Sequence, residues 1–225
     1  MQTESRKVEG GRRRVRYSKL HESARELPTG LARIIMEGRR GPPWDEKWWC
    51  NNCDHDFLTE PSSTSCTWCG QGEVRLLWNE QKAERETLTA MQQHSAQVTV
   101  AVVMTDGRPE SVGIIELRPL SLDQLSEHVG VSVASAVLGR FGPCGAHFFV
   151  QHLIVSPRWR SQDIGAKLLD QAISRAQSDP RSGIPLVSLA QRARVATDWF
   201  KRNQLTVVQL LDDKRLLVGN IVRSV

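Results

Sequence analysis

The sequence has no apolar run long enough to cross a membrane, and its charged start contains no apolar stretch. A membrane-spanning helix needs about 18 or more consecutive apolar residues, and a secretory signal needs an apolar segment after its basic start. Because both are absent, we expect an intracellular, cytoplasmic protein with no membrane partner, whose cysteines stay reduced. The arginine-rich start, interrupted by Glu4 and Glu9, also matches a weak organellar address.

Aromatic hydroxyls are almost absent, because Tyr17 is the only tyrosine. The sequence also shows no internal repeat. Hydrophobic residues make up 40% of the 225 positions and charged residues 24%. These shares are typical of a globular protein and argue against disorder, collagen and coiled-coil arrays. The length suits one modest domain with an appendage.

Excess charge is confined to the first twenty residues, which contain seven basic and two acidic side chains. Their net charge of +5 equals that of the whole chain, so the remainder is neutral. Basic segments bind phosphate backbones because counterions are released, and we therefore expect a nucleic acid or nucleoprotein partner. A solvated tail without a partner is the alternative. The basic residues of this arm are Arg6, Lys7, Arg12, Arg13, Arg14, Arg16 and Lys19.

Four of the five cysteines form two Cys-x2-Cys pairs, Cys50 with Cys53 and Cys66 with Cys69, separated by twelve residues. Each pair lets two thiolates from one turn reach the same ion, and two pairs complete a tetrahedral four-sulfur shell. The pattern resembles a structural zinc ribbon, in which no coordination position stays open for catalysis. A redox pair of disulfides is the alternative, which a reducing compartment disfavours.

Five of the seven tryptophans also fall between residues 44 and 78, which marks 44–80 as a separate small module. So short a module cannot bury enough apolar surface alone and depends on metal to fold. His55 lies near the cysteines but exceeds the four ligands required, so we interpret it as a surface residue. Trp48, Trp49 and Trp68 either cover the ribbon or stack on nucleic-acid bases.

The hydrophobic pattern predicts helices and strands on both sides of this module. Residues 147–155 form an almost continuous apolar run, typical of a central buried strand, and the apolar residues of 162–177 fall on one helical face. Residues 121–145 are ambiguous between helix and loop and could form an insertion over a binding cleft. The other predictions are helices at 20–37 with a kink at Pro28, 79–96 and 192–202, and strands at 97–104, 111–117, 184–189, 205–211 and 215–222.

The turn after the central strand carries a second signal. The strand runs into a polar turn and then a helix, whose first amides are unpaired and form an anion site. The stretch Arg160-Ser161-Gln162-Asp163-Ile164-Gly165 resembles motif A of the GNAT N-acetyltransferases, Arg/Gln-x-x-Gly-x-Gly/Ala. Asp163 replaces the first glycine of the motif, where a side chain must tolerate the loop conformation and direct its carboxylate away from a phosphate.

This resemblance implies that the loop amides hold the pyrophosphate of acetyl-CoA, while the strand lines the pantetheine arm and polarises the thioester carbonyl. The element order from about residue 80 to 225 is also similar to that of the family. We therefore expect a mixed α/β (α+β) fold with a GNAT-like central twisted mixed sheet flanked by helices and a small N-terminal four-cysteine zinc ribbon. The predicted domains are 1–43 (basic arm and helix), 44–80 (zinc ribbon) and 81–225 (GNAT-like acyltransferase domain). The implied acetyl-CoA contacts are Leu153, Ile154, Val155, Arg160, Ser161, Gln162, Asp163, Ile164, Gly165 and Ala166.

Two proton-transfer groups common in that family are absent. Phe200 stands where many members have a tyrosine acid, and the central strand contains no glutamate. By elimination, His152 or His147 could deprotonate an incoming ammonium, although either also suits a packed strand. Cys144 has no visible His/Asp partner arrangement, so an inert thiol is favoured over an acyl-carrying nucleophile.

The sequence supports two functional hypotheses. The first is an acyl-CoA-dependent N-acyltransferase, using acetyl-CoA and structural zinc, that modifies an amine on a nucleic acid or on a nucleic-acid-associated protein. The second is a GNAT-fold module without turnover that serves as a structural or nucleic-acid-binding component, for example in a ribonucleoprotein. Asp163 and the missing tyrosine and glutamate favour the second, whereas Arg160 and Gly165 favour the first.

Overall fold

The computed structural model describes residues 14–40, 48–50, 52–53, 56–57, 63–76, 78–93, 95–143, 146–178, 184–191, 193–211 and 215–222. Among these residues, no helix has both the length and the apolar character needed to span a lipid bilayer. The helices are α1 (Leu31–Arg40), α2 (Glu80–Gln93), α3 (Leu122–Val129), α4 (Val131–Phe141), α5 (Ile164–Gln177) and α6 (Arg194–Arg202). The strands are β1 (Arg16–Lys19), β2 (Trp48–Cys50), β3 (Asp56–Phe57), β4 (Val74–Leu76), β5 (Gln97–Thr105), β6 (Arg108–Leu120), β7 (His147–Val155), β8 (Ile184–Gln191), β9 (Thr206–Leu210) and β10 (Arg215–Val222).

The main sheet has seven strands in the order β1-β5-β6-β7-β8-β10-β9. Its neighbours are antiparallel except for β7 and β8, which run parallel, so the sheet is mixed. The central position of β7 is confirmed, and its first six residues are buried because helices cover both faces of the sheet. The cysteines belong to a separate three-stranded sheet with the order β3-β2-β4.

The helices divide between the two faces of the main sheet. On one face, α5 packs Ile164, Leu168 and Leu169 against the central strands, and α6 adds Phe200. On the opposite face, α1 and α2 pack together over β5 and β6, while α3 and α4 cover Phe149 and its neighbours on β8 and β10. This arrangement confirms the mixed α/β fold. It also leaves a gap on the opposite face between the two helix pairs, above β6 and β7.

The region that the sequence left ambiguous, 121–145, contains α3 and α4. Ser121 begins α3 with a capping box, because its hydroxyl accepts from the Gln124 amide while the Gln124 side chain accepts from the Ser121 amide. These helices pack on the sheet as a layer and bring His128 to the gap between the helix pairs.

The helix predicted over 20–37 is shorter in the structure and begins at Leu31. Pro28 and Gly30 lie immediately before it, and Gly30 adopts a left-handed conformation with φ of 80°. A proline followed by a left-handed glycine forms a turn, so the apolar residues before Pro28 pack from an irregular segment. Only the second half of the predicted helix is therefore helical.

The end of the basic arm, Arg16–Lys19, forms strand β1 of the main sheet. β1 pairs antiparallel with β5, and α1 packs on β6 and β7 because it buries Leu31, Ile34 and Ile35. Both elements precede the cysteines in the chain, whereas α2 follows them. The cysteine module therefore lies between two elements of the main unit, and that unit includes β1 and α1 as well as the predicted 81–225.

Candidate functional site

The candidate site lies where β7 and β8 separate. These parallel strands pair only over residues 148–150 of β7, although β7 continues to Val155 and β8 to Gln191. The other edge of β7 stays paired with β6 as far as Val155. Because backbone amides and carbonyls require hydrogen-bond partners, the open edge of residues 152–155 can bind an extended ligand inserted between the strands.

A β-bulge in β7 lies at the start of this opening. Glu116 of β6 is opposite His152, and Leu117 is opposite Val150, so Gln151 is an extra residue without a partner on β6. A bulge disrupts the ladder locally and redirects the neighbouring side chains and backbone groups. The bulge and the separation of β8 therefore begin at the same residues.

The loop predicted to hold a pyrophosphate joins the end of β7 to α5. Ser161 and Asp163 both adopt left-handed conformations, with φ of 61° and 57°. This geometry explains the glycine of the motif, because only glycine enters that region freely, and aspartate is among the side chains that tolerate it. Ile164, Gly165 and Ala166 form the first turn of the fourteen-residue α5. Their amides have no hydrogen-bond acceptor within the helix and lie at its positive end.

Arg160 and Gly165 connect this loop to the end of β7 and to α6. The Arg160 Nε donates to the carbonyl oxygen of Val155 at 3.2 Å, which places the guanidinium at the end of β7 beside the opening. A Cβ at Gly165 would lie 3.4 Å from the Trp199 ring, so α5 and α6 pack closely there. Ser161, Gln162 and Asp163 are exposed, which leaves the loop open to a ligand.

The only tyrosine lies near this loop and not at the position of Phe200. Tyr17 of β1 packs against the core cluster that contains Ile164 of α5. Burial, and then the negative charge of Asp163, raise the pKa of Tyr17. Phe200 is buried beside Trp199, with the two rings edge to face at 5.0 Å.

A polar cavity of about 240 Å³ adjoins the opening on the α1/α2 side of the sheet. Its floor includes Arg118 of β6 with Gln151 and His152 of β7. His152 is also the first residue of the open edge of β7 and Gln151 directly precedes it, so the cavity and the opening meet at these two residues. The cavity walls are formed by Arg39 at the end of α1, Trp78, Lys82 and Glu86 at the start of α2, and His128 of α3.

Glu116 of β6 lies opposite His152, which lines this cavity, and both side chains are buried. The Arg118 Nε donates to Glu116 Oε1 at 2.6 Å, and His152 Nε2 lies 3.5 Å from Glu116 Oε2. Within the described residues, neither Glu116 Oε2 nor His152 Nδ1 has a hydrogen-bond partner. The sequence carries a signal for this residue, because Glu116 is a charged side chain inside the otherwise apolar run 111–117 of the neighbouring strand.

Burial favours the neutral form of both groups. It raises the pKa of Glu116, against the positive charges of Arg118 and Arg39. It also places the pKa of His152 well below 6.5, to which the positive charges of Arg39, Arg118 and His128 contribute. His152 is therefore neutral at pH 7 and able to accept a proton.

His147 lies at the other end of β7. It precedes His152 by five positions, roughly 16 Å along a strand, and it also precedes the segment that pairs with β8. His147 is buried, which lowers its pKa, while a backbone contact with Leu120 opposes this shift. The structure thus brings His152 to the opening and the cavity and keeps His147 away from both. Cys144 lies outside the described residues.

The four cysteines converge in the small sheet. The Sγ atoms of Cys50 and Cys69 are 3.8 Å apart, as are those of Cys53 and Cys66, and all four lie within 4.8 Å of one another. A tetrahedral zinc ion with Zn–S bonds of about 2.3 Å separates its sulfurs by about 3.8 Å, so donor set and spacing fit zinc. A disulfide requires a sulfur distance of about 2.05 Å, and these cysteines are free.

Hydrogen-bond donors surround the Cys69 sulfur. The Gly72 amide donates to it at 3.3 Å, and Asn52 Nδ2 lies at 3.6 Å. Backbone donors at Gln71 and Gly72, together with the Asn52 side chain, lower the pKa of Cys69 to about 6. The thiolate is the form that binds metal, so these donors favour the metal-binding state.

Replacing Gly72 with alanine is expected to disrupt the cysteine cluster. The new Cβ would lie 2.2 Å from Cys50 Sγ and 2.7 Å from Asn52 Cβ, so the turn that follows Cys69 must shift away from the Cys50 sulfur. We expect metal affinity to fall at least tenfold in a competition assay with a chromogenic chelator. Gly70→Ala is the matched control, because Gly70 has φ of 70° but open space around it, and it should cost only about 1 kcal/mol of backbone strain. Equal affinities of the two variants would contradict this expectation.

The chain enters and leaves the cysteine module beside the cavity. Arg40, the last residue of α1, donates from Nε and Nη2 to the Trp78 carbonyl oxygen at 3.1 and 2.6 Å. Arg39 and Lys82 lie over the Trp78 ring, at 4.7 and 5.1 Å from its centre. Arg39 and Trp78, which both line the cavity, therefore lie at the two ends of the inserted module.

On the module itself, Trp68 is 74% exposed, so this tryptophan does not cover the ribbon.

Comparison with known proteins identifies the fold. No protein-family model matches the chain, and no curated protein matches its sequence. Among solved structures, the chain is similar to one of the NatC complex bound to Gag peptide and CoA, with a TM-score of 0.52, 13% identity, and coverage of 94% of this chain and 99% of that chain. It is also similar to a mosquito arylalkylamine N-acetyltransferase like 5b, with a TM-score of 0.52, 12% identity, and coverage of 92% and 100%. The chain therefore has the fold of the GNAT acetyltransferases.

The predicted acetyl-CoA contacts fall in two adjoining segments. Residues 153–155 form the open edge of β7, and residues 160–166 form the loop and first turn of α5. Of the basic arm, Arg14, Arg16 and Lys19 lie among the described residues, and the last two belong to β1. The other four basic residues and His55 lie outside the described residues.

Proposed function

We propose that the protein is an acyl-CoA-dependent N-acyltransferase, with acetyl-CoA as its acyl donor. The observation that carries this proposal is the opening between β7 and β8, which leads directly to the exposed loop at the start of α5. A pantetheine chain is extended and has amide groups that suit the open backbone edge of residues 153–155. A pyrophosphate suits the unpaired amides of residues 164–166 and the positive end of α5.

The reaction requires a neutral amine next to the thioester carbonyl. The amine nitrogen attacks the carbonyl carbon, the C–N bond forms and the C–S bond breaks. His152 accepts the proton that the nitrogen loses, and the CoA sulfur leaves as a thiolate that then takes up this proton. Positioning and backbone hydrogen bonds to the carbonyl oxygen supply much of the rate, so a tyrosine acid is helpful rather than required.

We also propose that Cys50, Cys53, Cys66 and Cys69 bind one structural zinc ion. The 3.8 Å sulfur separations and the donors around Cys69 support this proposal. Zinc would supply the folding energy of the small module and would take no part in acyl transfer, since four thiolates fill its coordination shell.

We propose further that the acceptor amine belongs to a nucleic acid or to a protein bound to one. The seven basic residues within the first twenty positions support this proposal, because such segments bind phosphate backbones. The exposed Trp68 ring is a second feature that suits unpaired bases. Binding to single-stranded oligonucleotides should therefore weaken steeply with salt, and a chain without residues 1–13 should lose most of this salt dependence.

Calorimetric titration of the full chain with acetyl-CoA tests the donor site. We expect micromolar binding, an order-of-magnitude or larger loss in Arg160→Ala, and tighter binding in Asp163→Gly. The last change removes both a left-handed aspartate and a negative charge close to the pyrophosphate position. If the wild-type chain does not bind and Asp163→Gly does, the site is degenerate and a GNAT-fold module without turnover is the better description.

A further inference from the structure

We propose that the polar cavity beside the opening binds an acceptor in which an anionic oxygen group, a carboxylate or a phosphate, accompanies the reacting amine. This inference rests on the proposed acyl transfer and names the substrate class of the same site. The observation that carries it is an excess of cationic side chains around the cavity, one of which is buried.

The charges around the cavity do not balance. Among the described residues that line it, three are cationic and one is a carboxylate. The cations are Arg39 of α1, Lys82 of α2 and Arg118 of β6, and the carboxylate is the exposed Glu86 of α2. Glu116 lies outside the lining and accepts a hydrogen bond from Arg118. Even when Glu116 counts as a full negative charge, the cations exceed the carboxylates by three to two.

Arg39 brings a positive charge into a largely buried position. Its side chain is only 8% exposed, and its guanidinium lies 4.7 Å from the centre of the buried Trp78 ring. The Lys82 ammonium lies 5.1 Å from the centre of the same ring. An aromatic ring attracts cations but carries no formal charge, so it does not neutralise them. A cation withdrawn from water gains more from a hydrogen-bonded anion, and this wall of the cavity therefore suits anionic oxygens.

The same cavity reaches the position proposed for the thioester. It meets the open edge of β7 at His152, so an anionic group at the wall formed by Arg39 and Lys82 keeps the amine in the space that adjoins this edge. The cavity volume is about 240 Å³. Sites for drug-sized ligands have roughly 300–1000 Å³. The smaller volume suits a short link between the anionic group and the amine, either in a small molecule or at one end of a larger one.

The positive charge also acts at the reacting end of the cavity. Burial, and then the positive charges of Arg39 and Arg118, lower the pKa of His152. The same charges disfavour a bare alkylammonium in this space, whereas an anionic group on the acceptor compensates them. An acceptor that carries its own negative charge is therefore expected to enter more readily than a simple alkylamine.

The first arm of the test compares three small amines as acceptors by following thiol release from acetyl-CoA. The probes are n-propylamine without a second charge, β-alanine with a carboxylate and 2-aminoethyl phosphate with a phosphate. We expect kcat/KM for at least one anionic probe to exceed that for n-propylamine about tenfold, because one charge-assisted hydrogen bond suffices for a factor of this size. A preference for only one anionic probe identifies the group that is recognised. If n-propylamine equals or exceeds both, the proposal is overturned.

Variants then locate the preference within the cavity. Arg39→Gln and Lys82→Gln should each lower the ratio of anionic to neutral probe severalfold. Because this is a ratio within one protein, a partial loss of folded chains lowers both rates alike and leaves it unchanged. Arg33→Gln is the matched control, since Arg33 is exposed on the same helix as Arg39 and outside the cavity lining. An unchanged ratio in both cavity variants, or an equal fall in the control, overturns the proposal.

The second arm needs no turnover. Propionate and methyl phosphate, which contain no amine, are titrated into the isotope-labelled full chain, and the indole N–H signal of Trp78 is followed by NMR after assignment with Trp78→Phe. We expect a saturable shift with at least one anion that weakens in Arg39→Gln, and no saturable shift with either anion overturns the proposal. A chain that shows the shift but acylates no amine contradicts the proposed acyl transfer and keeps the anion site, so the two failures are distinguishable.

Discussion

Cys69→Ser is expected to lose its bound zinc and to unfold the module formed by β2, β3 and β4. A serine hydroxyl is a poor zinc ligand, and the sulfur it replaces is the one that Gly72 and Asn52 stabilise as a thiolate. Zinc contributes on the order of 10 kcal/mol to the folding of small modules of this kind, more than the few apolar contacts of this cluster can supply. Metal analysis after dialysis should find one zinc per wild-type chain and almost none in the variant.

The fifth cysteine offers a matched control for this experiment. Cys144 lies outside the two Cys-x2-Cys pairs, so Cys144→Ser should keep its full zinc content. Acetyl-CoA binding should persist in Cys69→Ser, because β7, β8 and α5 belong to the other sheet and its helical layer. A zinc-free wild type, or full zinc retention by Cys69→Ser, would contradict the assignment of these four ligands.

Arg118→Met is expected to destabilise the protein by about 3 kcal/mol or more at pH 8, because it removes the charged partner of a buried carboxylate. Arg118 opposes the rise in the pKa of Glu116 that burial causes, so the variant raises that pKa further. A carboxyl with a raised pKa in the folded state binds more protons than in the unfolded state, and stability then falls as the pH rises. The deficit should therefore be smaller at pH 5 than at pH 8.

Urea denaturation of the variant and the wild type at both pH values measures this difference. His152 contributes to the same trend: its lowered pKa removes stability as the pH falls below 6.5, and because the charge of Arg118 helps to lower that pKa, this loss is smaller in the variant than in the wild type. The double variant Glu116→Gln, Arg118→Met contains no buried charge at this place and should recover most of the lost stability. A deficit that is equal at both pH values, or no recovery in the double variant, would show that packing of the Arg118 side chain dominates.

The elements with strong hydrophobic periodicity could be predicted from the sequence. The nine-residue apolar run of β7 and the helical stripe of α5 are long enough to identify a strand and a helix. The polar turn between them predicts a pyrophosphate loop through its resemblance to motif A, and the structure places this turn directly before α5. The cysteine spacing predicted which four sulfurs converge, because two short turns determine which atoms can meet.

Other features depend on tertiary contacts that no local pattern encodes. β1 is a four-residue polar strand, and it forms only because the edge of β5 offers it hydrogen bonds. The position of the cysteine module between α1 and α2 depends on which helices pack on the sheet. Glu116 meets His152 because a bulge shifts the register of β6 and β7, and a register shift leaves no mark on the apolar pattern.

The insertion point of the cysteine module links its fold to the candidate site. Arg40 and Trp78 join the two ends of the module through hydrogen bonds at the cavity wall. Arg39 and Trp78 also line the cavity, so the two ends of the module lie beside the cavity wall. The loop that would hold the donor belongs to the opposite face, where α5 packs.

The crystal structure of the protein with bound acetyl-CoA is the most direct test of the central claim that β7 and β8 hold an acyl donor between them. The account predicts that the pantetheine chain lies along residues 153–155, that the pyrophosphate contacts the amides of 164–166, and that the acetyl group reaches His152 at the cavity. Acetyl-CoA bound elsewhere, or no binding at millimolar concentration, would contradict the account and leave a GNAT fold without its acyl donor.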